Sequence, residues 1–211
     1  LYPDGELVHI TTSHHHLTDN TQIDSIVLRG DGSDGSQIEF VLDATSDLSS
    51  ATFSQTGGAV QVRLVPSASS VSEMPGANGF TDLVVDWTFE VLWNWDDVAT
   101  IDWMVNALDA QGEGLAPAYA QSGGLGAQGV ENDLEVDGFV VMDSFGRTLS
   151  NPFSPDYPLP VRAGSTVHVE GSVRFQNTAG RRPAMDAFSA GIELDGQSIA
   201  MNATEAGIFS G

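Results

Sequence analysis

The chain contains no cysteine, which excludes disulfides, thiolate metal sites and thiol nucleophiles. Lysine is absent too. All seven basic residues are arginines, set against 29 Asp and Glu, and the formal net charge is −22. A field of that sign repels nucleic-acid phosphates and anionic membrane surfaces. It attracts cations and carries a cost in self-repulsion that salt or divalent ions relieve. A saline habitat, marine or halophilic, is the resulting expectation. No run approaches the ~18 apolar residues of a membrane span, so no span is expected in this segment. No signal-peptide pattern occurs, and because the chain opens on Leu1 an upstream segment is expected to have been removed or left out. Helical periodicity is also missing, since no window sustains apolar residues at i, i+3, i+4 and i+7.

What is present reads as strand. Hydrophobic residues make up 41% of 211, enough to bury a real core in one large or two small domains. Alternating segments fall at 7–12, 24–29, 37–42, 51–55, 59–65 and 134–142, separated by clusters of Gly, Asp, Asn, Ser and Pro. The clearest runs are 84–95 and 100–108. In the first, Trp87, Phe89, Val91, Trp93 and Trp95 share one parity; in the second, Ile101, Trp103, Val105 and Ala107 do. A short turn at 96–99 between them predicts a long hairpin carrying all four tryptophans. The expected fold is all-β, an antiparallel β-sandwich of Ig-like or jelly-roll-like type. Residues 151–160 hold Pro152, Pro155, Pro158 and Pro160; such a segment is stiff and suits a joint. The division is therefore expected near residue 158, with a β-sandwich domain over 1–158 and a smaller β unit over 159–211.

The second unit carries a family resemblance. Residues 166–175 alternate around a central Gly171. A Gly180-Arg181-Arg182-Pro183 loop follows, then Ile192-Glu193-Leu194-Asp195-Gly196, and Thr204 to Ser210 closes as T-x-x-G-I-F-S. This stretch resembles the Ig-like, carboxypeptidase-regulatory-like β-sandwich repeats of large secreted archaeal and bacterial surface proteins. The resemblance implies an Ig-like fold, and that at least one further strand follows the last one; on that reading this unit lacks its final strand or strands.

Several constellations are candidate sites. The loop 31–36 offers Asp31, Ser33 and Asp34, with Glu39 close by, and an Asp/Ser/Gly loop of this kind can wrap carboxylates and carbonyls around calcium. A polar hairpin loop is the plainer reading. Asp96, Asp97 and Asp102 form a thinner cluster of the same sort. His14, His15 and His16, with His9 nearby, offer imidazoles to zinc, but at none of the spacings of a zinc enzyme. Trp87, Trp93, Trp95 and Trp103 could form a carbohydrate-stacking row if exposed, although aromatics alternating with polar residues read more readily as a sandwich core. Asn202-Ala203-Thr204 is an N-glycosylation sequon. No serine-nucleophile elbow, phosphate loop or dinucleotide fingerprint occurs.

These readings converge on a non-catalytic structural or adhesive segment of a secreted or cell-surface protein built from tandem β-sandwich domains. Its expected partners are other domains of the same protein, neighbouring subunits, or glycans. A filament subunit assembled by strand exchange, with residues 1–12 or the open edge near Gly211 pairing with a neighbour, and a carbohydrate-binding module are the alternatives.

Overall fold

The computed structural model describes residues 1–14, 23–43, 48–76, 81–109, 118–119, 128–150, 163–176, 178, 180–185, 188–194 and 196–211. The proline-rich segment 151–160 lies outside them. Strand is the dominant structure of the described residues. They divide into two units, one of Leu1–Tyr2 and Glu6–Glu131, the other of Pro3–Gly5 and Asn132–Gly211.

The first unit is an antiparallel sandwich. One sheet centres on β7 (Thr81–Val91), flanked on one side by β1 (Leu7–His14) and on the other by β5 (Val62–Leu64) and β6 (Ser70–Pro75). The second sheet runs β10 (Gln128–Val130), β8 (Val98–Asp109), β2 (Ile23–Gly32), β3 (Gln37–Asp43), β4 (Thr52–Gly57), with β9 (Ala118–Tyr119) also on β8. Period two directs the inner faces together. Ile10 from β1, and Leu83, Val85, Trp87, Phe89 and Val91 from β7, meet Ile26, Leu28, Ile38, Phe40, Leu42 and Trp103 from the other sheet, all buried. The rings interlock: Phe40 lies 5.2 Å from Phe89 and 6.4 Å from Trp87, Phe53 meets Trp87 edge-on at 5.5 Å, and Phe89 lies 6.0 Å from Trp103.

The expected hairpin of 84–95 and 100–108 does not form. β7 pairs with β1, and β8 pairs with β2 in the opposite sheet. Alternation fixes which face a strand buries, not which strand it pairs with. Here two aromatic faces oppose one another across the core, whereas a hairpin would leave them side by side on one sheet. β6 carries no strand signal in the sequence. It is an exposed strand held to β7 by its backbone ladder, and nothing in Ser70–Pro75 alternates.

The second unit is one six-stranded antiparallel ladder in the order β12 (Thr148–Ser150), β11 (Leu134–Asp143), β13 (Val167–Phe175), β16 (Ile208–Ser210), β15 (Gln197–Glu205), β14 (Ala190–Leu194). Two expectations change. The division falls between Glu131 and Asn132 rather than near 158, because β11 pairs along its length with β13. The last strand is not an open edge either: β16 pairs with β13 on one side and β15 on the other, and Gly211 exchanges two backbone hydrogen bonds with Val169. Val141, Val169, Val173, Met201 and Phe209 make its small buried core.

One device recurs in both units. Gly30 of β2 faces Trp103 across the ladder, and a Cβ there would stand 3.1 Å from the indole. Gly171 of β13 faces Phe209, and a Cβ would stand 2.3 Å from the ring. Each glycine lets a neighbouring aromatic lie flat across the strand and cover it.

Candidate functional site

The loop 31–36 is the tip of the β2–β3 hairpin, and its oxygens are already engaged. Arg29 Nε donates to Asp31 Oδ1 at 2.8 Å, a contact that raises the Arg29 pKa above its ordinary value. Asp34 Oδ1 accepts from Ser36 Oγ at 2.6 Å and from Ser36 N at 2.9 Å. The Ser36 hydroxyl bond is the main cause holding Asp34 below the usual carboxylate range. The indole of Trp95 donates to Ser36 Oγ at 3.0 Å, so a buried tryptophan ties the turn down from beneath. Ser33 is bonded through its backbone to Thr100. Glu39 points elsewhere, accepting from Thr56 Oγ1 at 2.6 Å on β4. Asp31, Asp34 and Glu39 do not gather their oxygens within 4.8 Å of one another. In this structure these oxygens serve the hairpin.

The tryptophans are core. Trp87, Trp95 and Trp103 are buried, and only Trp93 is partly exposed. An exposed stacking row is therefore not formed, because the inner face of a sandwich is where alternating aromatics go. Asp96, Asp97 and Asp102 are exposed.

The histidines separate. Along β1 the odd positions face outward and the even ones inward. His9 is outside, its Nδ1 3.3 Å from Asp86 Oδ2 and 3.1 Å from Thr88 Oγ1. His14 is inside, its Nε2 2.8 Å from Thr12 Oγ1. Opposite faces of one strand cannot share a metal ion, and His15 and His16 lie outside the described residues. The buried triad of Trp87, Thr12 and His14 is a feature the sequence reading missed. Trp87 Nε1–H donates to Thr12 Oγ1 at 3.0 Å, which leaves the threonine hydroxyl to donate to a neutral His14 Nε2.

Burial lowers the His14 pKa from 6.5 to about 4. The sign follows directly. The unfolded chain takes up this proton at a higher pH than the folded one, so the stability is whole above the unfolded pKa and falls as pH drops toward the folded pKa. Between about pH 7 and about pH 5 the wild type should lose about 2 kcal/mol more than His14→Gln, which accepts the same hydroxyl without titrating. Urea unfolding of both at the two pH values measures it.

Charge is distributed unevenly. Among the described residues every arginine is ion-paired within the chain: Arg29 with Asp31, Arg63 with Glu90, Arg147 with Asp143, Arg174 with Glu135 and Asp137, Arg181 with Asp4, and Arg182 with Asp137 at 4.0 Å. Such exposed pairs contribute little stability each. These pairs engage all of the described arginines, which the carboxylates far outnumber. On the outer face of β2, β3 and β8 a concavity of ≈ 280 Å³ is lined by Val27, Arg29, Glu39, Met104, Val105 and Asn106; the buried Oδ1 of Asn106 has no hydrogen-bond partner among the described residues. Asn202 and Thr204 of the sequon are exposed on β15.

No helix among the described residues is long and apolar enough to cross a membrane. No known protein family, no curated protein and no solved structure matches the chain.

Proposed function

We propose that this chain is a non-catalytic structural or adhesive segment of a secreted or cell-surface protein. The observation that carries the reading is the pairing of two β units in series, each with its own core, with an acidic surface whose described arginines are all neutralised from within. Tandem β units transmit load and space partners, and a surface of this sign disfavours phosphate-bearing partners while recruiting cations. The polar groups of the hairpin tip at 31–36 stiffen the scaffold. The resemblance of the final stretch to Ig-like surface repeats points the same way, and the exposed sequon at Asn202 suits an exterior protein.

Immunolabelling of intact source cells with antibodies against this chain tests the location. Labelling without permeabilisation is the expected result; labelling only after permeabilisation would contradict the proposal. Amine-reactive surface reagents are unsuitable, because the chain has no lysine.

A further inference from the structure

We propose that the outer edge of β1 is a self-association edge, to which the β1 strand of a second copy of this chain adds antiparallel to give a closed dimer.

The geometry of β1 points to it. All 8 residues, Leu7–His14, pair in unbroken register with β7. Among the described residues no strand pairs with the other side of β1. Every second residue of an edge strand leaves an N–H and a C=O directed away from its sheet, a template for another strand unless something blocks it.

Other edges among the described residues are short, charged or interrupted. β6 carries Glu73 and Pro75. β4 is interrupted by a register shift opposite Glu39 and Phe40. The outer edge of β5 is covered by the Gln55 side chain, whose amide donates to Val62 O and whose Oε1 accepts from Leu64 N. β10 and β12 are 3 residues long with shifted registers. β14 carries Glu193. β1, in contrast, has no proline, no bulge and no acidic or arginine residue.

Charge selects the partner. Two copies at −22 repel wherever their acidic surfaces approach. β1 contributes no carboxylate, and the nearest ones on β7 are engaged: Asp86 faces His9 and Glu90 is paired with Arg63. The edge is thus where a second copy meets the least opposition, and raised salt removes what remains. Pairing must also keep faces together. Leu7, His9, Thr11 and Ser13 have to lie opposite outward residues of the partner, so that Val8, Ile10, Thr12 and His14 continue the inner face. Identical strands meeting antiparallel are related by a two-fold axis, and the interface closes on itself. Because β1 already lies in its own sheet, the second copy adds to the edge without displacing a strand.

The absence of cysteine supplies the test. Single-cysteine variants His9→Cys, Thr11→Cys and Ser13→Cys, alone and mixed pairwise, would be oxidised mildly in about 2 M NaCl, with Ser72→Cys on β6 as the control. Opposed cysteines on one face come within disulfide reach, whereas offset ones do not. One combination is expected to yield a covalent dimer at about tenfold the level of Ser72→Cys. Sedimentation equilibrium of the unmodified chain should show a monomer–dimer equilibrium that tightens from about 0.1 M to about 2 M NaCl. A monomer at both salts, open-ended growth, equal cross-linking at all three β1 positions, or cross-linking at Ser72→Cys as strong as on β1 would each overturn the proposal.

Discussion

Trp87→Ala is expected to destabilise the first unit by about 4 kcal/mol, and Trp93→Ala by about 1 kcal/mol or less, the usual range for emptying a core site against trimming a half-exposed one. Trp87 is fully buried, with Phe40 stacked near it and Phe53 edge-on to its ring. Its loss opens a cavity between the two sheets that such neighbours fill only in part. A second cost follows from the hydrogen bond. Without the indole N–H, Thr12 Oγ1 keeps His14 as its only side-chain partner among those described, and a buried acceptor site goes unused. Urea unfolding followed by circular dichroism, which does not depend on the deleted fluorophore, gives both values. Equal small losses would mean that Trp87 is not a core residue, and would revive a role for the tryptophans at the surface.

Salt is expected to produce the second large effect. Two carboxylates roughly 10 Å apart across water repel by about 0.4 kcal/mol. With an excess of 22 negative charges and every described arginine already paired, many such terms add in the folded chain and relax in the unfolded one. The screening length falls from about 30 Å at 0.01 M salt to about 3 Å at 1 M. Recovering a few kcal/mol of repulsion should raise Tm by about 10 °C over that range. Millimolar magnesium should do more than sodium at matched ionic strength, since divalent cations condense on clustered carboxylates. Calorimetry across the series measures this; a Tm that is flat or falls with NaCl would show that repulsion does not limit stability.

The strands were legible and their partnerships were not. In 7–12, 37–42 and 84–91 the alternation of apolar and polar residues is the physical requirement of a half-buried strand, and the structure buries those parities. Pairing is decided by complementarity between faces that are distant in sequence. For that reason β7 and β8, adjacent in the chain and both aromatic, were read as a hairpin although they face one another from opposite sheets. β6 carries no alternation because an exposed strand has no face to bury. Four prolines drew the domain division toward 158, whereas the ladder of β11 on β13 puts it at 131/132, where no change of composition marks it.

The candidate sites were legible only as composition. Asp31, Ser33, Asp34 and Glu39 are calcium-compatible residues, but Arg29, Ser36 and Thr56 claim three of their carboxylates. The decisive neighbour, Trp95, reaches the turn from a segment far along the chain. His9 and His14 looked like one cluster in sequence; an odd and an even position on one strand are separated by the sheet itself.

The chain comprises two β units with a division at 131/132, and amide hydrogen exchange in low denaturant tests this most directly. Segments with a shared opening reaction exchange together. Residues 134–143 should lose protection in step with 167–175 and 208–210, at a lower free energy than 81–91 and 98–109, because the second core is the smaller. Exchange of 134–143 in step with 98–109 would contradict the division and the account built on it.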